Sequence, residues 1–119
     1  MSLPEVRFVS ESNINVCLPL IHQLHPQFTP EQAVRWWRAE TCQGHHLIAI
    51  YVHGHIAALS GFSVRERDNG SSVLLGDEVA YVADGNHTVL HECLMTYLKV
   101  LARAFRCNAI EMAETSRAA

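Results

Sequence analysis

The chain lacks most of the marks that would assign it to a specialised class. No apolar run approaches the ~20 residues a membrane-spanning helix requires, and no secretory leader is legible, so a membrane partner is not expected. Lys and Arg total 9 against 12 Asp and Glu, a formal net charge of −3 with no basic stripe, which speaks against nucleic acid. Cysteine is sparse. Cys17, Cys42, Cys93 and Cys107 stand far apart with no Cys-x-x-Cys pair, and read as reduced, half-buried thiols of a cytoplasmic protein, not as a disulfide framework. There is no internal repeat, low-complexity tract or linker. What is present is 119 residues, 49% of them hydrophobic, enough for a single domain over residues 1–119 with a real core.

Periodicity then places the elements. Glu5–Val9 is a short strand. In "NINVCLPLIHQLH" Ile14, Leu18, Ile21 and either Leu24 or His25 share one helical face, with Pro19 expected to kink the helix. "FTPEQAVRWWRAETC" opens a second helix, with Thr29 as N-cap, Pro30 at the first helical position and Gln32 at the capping-box position. Val34 and Trp37 should face inward. Trp36, between Arg35 and Arg38, either flanks a groove or packs on the sheet with Trp37. "HHLIAIYVHGHIAALSGFSV" reads as a hairpin turning at His53-Gly54, and "RERDNGSS" links it to the strand "VLLGDEVAYV", where Gly76 marks a bulge or a close backbone approach. A helix from His87 to Arg106 and a last strand, "NAIEMAE", complete the chain. A long helix between two strands makes a right-handed crossover, so the fourth and fifth strands should be parallel neighbours.

The expected fold is α+β, in the order β-α-α-β-β-β-α-β. A mixed, mostly antiparallel sheet of about five strands should carry helices on both faces, the first two on one side and the third across the sheet. Phe8, Leu18, Ile21, Leu47, Ile50, Ile56, Leu59, Val79, Leu94, Leu98 and Leu101 should lie in its core.

This order, and the phrases "LHPQFTPEQ", "HLIAIYVHGHIAALSGFSV" and "LLGDEVAYVADGNHTVLHECLMTYLKVLARAFRCNAIEM", resemble the GNAT superfamily of acyl-CoA-dependent N-acyltransferases over nearly the whole chain. In many members a strand reading roughly Asp-Asp-Leu-Val leads to an Arg-x-x-Gly-x-Gly/Ala loop, a helix and a further strand. Asp77-Glu78-Val79-Ala80 falls on the strand phrase, and Cys107 to Met112 on the last strand. The resemblance implies an N-acetyltransferase that moves an acetyl group from acetyl-CoA to a small-molecule or peptide amine. It makes Glu78 the candidate base, with Asp77 the alternative; adjacent on a strand, their side chains point to opposite faces. Amide contacts to the acyl group would come from Val79, Ala80, Tyr81 and Val82, and the cofactor loop would be Asn86, His87, Thr88, Val89, Leu90 and His91.

The loop departs from the family pattern. Asn86 stands at the arginine position, and Val89 and His91 at glycine positions. A Cβ there would obstruct a pyrophosphate approaching the helix N-terminus, and Asn86 or Thr88 could instead cap the helix. Acetyl-CoA binding should therefore be weak or absent. Typical members also continue through a further helix and two strands after "NAIEM", whereas this chain stops at "ETSRAA". The sheet is then either open at that edge or covered by a second copy, and a homodimer is expected. His87 and His91, four apart on a helix, form a possible metal pair with His45, His46, His53 and His55 in reserve; no third ligand is fixed by spacing, and no metal site is assigned. Two readings stay open. One is a divergent acetyltransferase. The other is a catalytically degenerate GNAT-fold module that binds or regulates as a homodimer.

Overall fold

A computed structural model describes residues 4–82 and 86–112, and of Glu78 only the backbone. The elements are β1 (Glu5–Phe8), a 3-10 turn (Ile14–Cys17), α1 (Leu18–Leu24), α2 (Pro30–Cys42), β2 (His46–Val52), β3 (His55–Glu66), β4 (Ser72–Tyr81), α3 (His87–Ala104) and β5 (Ala109–Met112). They build one five-stranded sheet in the order β1-β2-β3-β4-β5. The first three pairings are antiparallel and β4 with β5 is parallel, as a helical crossover by α3 requires. Residues 113 and 114 of the expected last strand lie outside the described residues.

Local sequence accounts for most boundaries. At the start of α2 the Thr29 hydroxyl accepts from the Gln32 amide while the Gln32 side chain accepts from the Thr29 amide, so two donors with no helical partner are satisfied. The first helix is not one kinked helix. It is a 3-10 turn followed by α1, with Pro19 in the opening turn of α1, where a missing amide proton costs nothing. At the β2–β3 turn both His53 (φ 52) and Gly54 (φ 78) are left-handed, the conformation that matches the twist of a two-residue hairpin.

The sheet is buried on both faces. Alternation along β2 sends Leu47 and Ala49 toward α1 and α2, where Leu20, Ile21, Leu24 and Ala33 pack, and sends Ile48 and Ile50 toward α3, where Leu90, Leu94, Leu98 and Leu101 pack. Phe8 is a correction to the expected core: it is 41% exposed and meets the buried Phe62 edge-on at 5.7 Å. Leu18, Ile56 and Val79 are half-buried at the rims. Trp37 and Trp36 both pack at the rim of the first layer, Trp36 against His25 and Phe28. Cys17 is buried, but Cys42, at the end of α2, is exposed instead of half-buried. Among the described residues no helix is long and apolar enough to cross a membrane.

Gly76 is a close-approach glycine, since a Cβ there would lie 2.7 Å from Met112 Sδ on β5. The bulge lies just beyond it. Leu59 pairs with Ala80 and Gly61 with Asp77, so Ser60 alone faces Glu78 and Val79.

Candidate active site

The bulge in β4 decides which way its side chains face. An extra residue shifts the alternation by one position. Asp77 and Ala80 thus lie on the α1/α2 side, while Gly76, Val79 and Tyr81 lie on the α3 side. Such a bulge also leaves backbone groups without a ladder partner. The Ser60 hydroxyl, buried beside it, donates to the Asp77 carbonyl at 3.3 Å. Of the residues expected to offer amides, Val79, Ala80 and Tyr81 belong to this end of β4, but the Val82 amide already donates to the Ala57 carbonyl at 2.9 Å.

Asp77 is held from the side by a residue the sequence did not connect with it. The His45 ring donates through Nε2 to Asp77 Oδ1 at 2.7 Å, and its Nδ1 stands 3.1 Å from Glu40 Oε2. The ring and the Asp77 side chain are 14% and 23% exposed. Glycine at position 61 makes the pair possible, because a Cβ there would lie 2.5 Å from Asp77 Oδ1 and 2.7 Å from His45 Nε2. The group borders a cleft of about 450 Å³ whose other walls include Gly44, Ser63 and Arg65. Glu78 contributes its backbone to the bulge, and its side chain lies outside the described residues.

A second cleft, of about 400 Å³, opens between the end of β4 and the start of α3 and is lined by Tyr81, His87, Thr88, His91 and Glu92. Here the expected cofactor loop separates into different roles. Asn86 is the N-cap, its side chain accepting from the Val89 amide at 3.2 Å, and Leu90 is buried in the core. The expectation that Val89 crowds the phosphate space is corrected: Val89 is 50% exposed and does not line the cleft. His87 and His91 do line it. The His87 ring stacks on Tyr81 at 4.9 Å with its Nε2 3.2 Å from the Val82 carbonyl, and His91 Nδ1 lies 3.3 Å from the Tyr81 hydroxyl. Burial raises the Tyr81 pKa, so the hydroxyl stays protonated at neutral pH. Among the described residues no Arg or Lys lines this cleft, and Glu92 does. The residues therefore fit a pyrophosphate poorly, although the helix N-terminus itself is in place.

His45 was legible only as one histidine among several near the hairpin. Its partners Asp77, 32 residues on, and Glu40 are brought to it by the pairing of β2, β3 and β4 and by the packing of α2.

No family model matches the chain, and no curated protein matches it. Solved structures do. A GNAT family acetyltransferase from Staphylococcus aureus superposes with a TM-score of 0.84 over 98% of this chain and 90% of its own, at 13% identity. A ribosomal-protein-alanine N-acetyltransferase from Brucella melitensis gives 0.81 over 98% and 83%, at 9% identity. An aminoglycoside N-acetyltransferase, AAC(6')-Iy, solved in complex with CoA, gives 0.76 over 98% and 80%, at 13% identity. The fold is thus that of the GNAT acetyltransferases.

Proposed function

We propose that this chain is a divergent GNAT-superfamily N-acetyltransferase domain that moves an acetyl group from acetyl-CoA to an amine in the cytoplasm. The observation that carries the reading is the bulge at Glu78 and Val79, which sits one residue from a half-buried carboxylate, Asp77, on the wall of a cleft. The two features supply what amide formation from a thioester demands. A carboxylate at the bulge takes the proton that the ammonium must lose before its nitrogen attacks, and backbone amides freed from the ladder donate to the carbonyl oxygen as negative charge gathers there, until the C–S bond breaks and the thiolate of CoA leaves. Asp77 is the carboxylate with described geometry, and Glu78 is proposed beside it by resemblance. Acetyl-CoA, when bound, supplies the activated acetyl group. This chain's own residues would hold it along Val79, Ala80 and Tyr81 and at Asn86, His87, Thr88 and His91, weakly because among the described residues no Lys or Arg lines the second cleft.

A second reading is a degenerate module that acts as a homodimer. Among the described residues the second cleft carries no Lys or Arg, which favours this reading, and β5 pairs only with β4 and presents half-buried Ile110 and Met112. Calorimetric titration with acetyl-CoA separates the two. Saturable binding with a Kd of roughly 1 mM or tighter, a free energy of about −4 kcal/mol, supports the enzyme. Heat indistinguishable from dilution, up to the solubility limit of the ligand, supports the module.

A further inference from the structure

His45 touches carboxylates from two elements that are remote in sequence, and the surroundings are shaped to let it do so. The geometry points to His45 as a positioning residue for Asp77, one that fixes the direction of this carboxylate at the β4 bulge while Glu40 holds the His45 backbone.

Several independent contacts converge on this arrangement. The ring bonds Asp77 Oδ1 through Nε2 at 2.7 Å, while Nδ1 lies within ion-pair distance of Glu40 Oε2, at 3.1 Å, without hydrogen-bond geometry. Asp77 is engaged through Oδ1, which leaves its second oxygen for a ligand in the cleft. The ring's own anchorage is short: the His45 amide donates to the Glu40 carbonyl at 2.9 Å, so the residue beside the ring holds its backbone. Asp77 is held at both ends as well, its carboxylate by His45 and its carbonyl by the Ser60 hydroxyl. The bare backbone of Gly61 leaves room for the bond at a place where any side chain would displace it. Partial burial limits competition from water, and a carboxylate held by a charge-assisted bond has fewer directions open to it. The proposal rests on the acetyltransferase reading only for its effect on turnover.

The test uses the full chain and two kinds of readout. The first is NMR of the His45 ring nitrogens in the wild type and in Asp77→Asn and Glu40→Gln. Asp77→Asn should move the Nε2 resonance and Glu40→Gln the Nδ1 resonance. The second is steady-state acetyl transfer from acetyl-CoA to a panel of aliphatic amines and peptide N-termini, with His45→Ala and His45→Gln compared after urea unfolding shows both folded. His45→Ala should lower kcat about tenfold or more, since misplacing a reacting group by about an ångström can cost on the order of a hundredfold, while KM for acetyl-CoA stays within about twofold. His45→Gln, whose amide can donate to the same oxygen, should restore most of the loss. An Nε2 resonance unmoved by Asp77→Asn overturns the proposal, and so does a folded His45→Ala with kcat within about twofold of wild type. If the wild type transfers no acetyl group to any amine, the acetyltransferase reading falls, and the ring resonances alone decide whether His45 positions Asp77.

Discussion

Replacing Gly61 by alanine tests the site without touching any of its polar groups. Gly61 lies in β3 opposite Asp77, and a Cβ there would stand 2.5 Å from Asp77 Oδ1 and 2.7 Å from His45 Nε2. Neither distance is tolerable, so the His45–Asp77 bond must open. A hydrogen bond to a charged group contributes about 1.5–3 kcal/mol. A strand glycine replaced by alanine returns about 0.5–1 kcal/mol of backbone entropy. The expected net loss is therefore roughly 1–2 kcal/mol, or on the order of 4 °C in Tm per kcal/mol for a domain of this size. The assay is urea unfolding of Gly61→Ala in the wild-type and His45→Ala backgrounds. With the ring absent, Asp77 is free to turn away from the new methyl group, and Gly61→Ala should become neutral or slightly stabilising. The two effects should then differ by at least about 1 kcal/mol. Equal losses in both backgrounds, within about 0.5 kcal/mol, would refute the reasoning, because the glycine would then be needed for something other than the pair.

Two further outcomes follow from the core. Leu98 is fully buried under the sheet, so Leu98→Ala should destabilise by about 2–5 kcal/mol in chemical denaturation, while Val100→Ala, at an exposed position on the same helix, should change stability by less than about 0.5 kcal/mol. The Cys17 thiol is pushed up to about 11 from an ordinary value of 9.0, chiefly by burial, with a bond to Tyr51 opposing. Because its folded value is raised, the native state holds this proton more tightly than the unfolded chain does. Its stabilising contribution is complete below about pH 9 and is lost as pH rises toward 11, in the same direction as that of Tyr51, whose pKa burial also raises. Thiol labelling at pH 8 should accordingly modify the exposed Cys42 well before Cys17.

The element order was legible because each element announces itself locally. The Thr29–Pro30–Gln32 start, the His53-Gly54 turn and the leucine spacing of α3 depend on residues within a few positions of one another. The parallel pairing of β4 with β5 followed from chain length and handedness. The choice between Asn86 and Thr88 as cap, and the break between Cys17 and Leu18, needed the backbone itself, because several residues in each stretch satisfy the same local rule. Phe8 went astray for a different reason: it pairs with Ile48, but β1 is an edge strand with a neighbour on one side only, and edge position is not written in a four-residue stretch.

The site divides along the same line. From sequence alone, Asp77 and Glu78 stood out as adjacent acids on a strand that leads into a helix. The bulge that sets Gly76 and Val79, on either side of this pair, on the same face arises from a register slip between two strands, and no residue of β4 encodes it by itself. The Glu40–His45–Asp77 group is further still from local rules. It joins α2, the residue preceding β2 and β4 across the backbone of β3, and it exists because sheet pairing brings His45 over Gly61. Spacing along one chain is enough to read the elements, their order and the lack of Lys or Arg between Arg67 and Lys99. Which imidazole meets which carboxylate depends on the packed fold, because hydrogen-bond partners are chosen by distance in space.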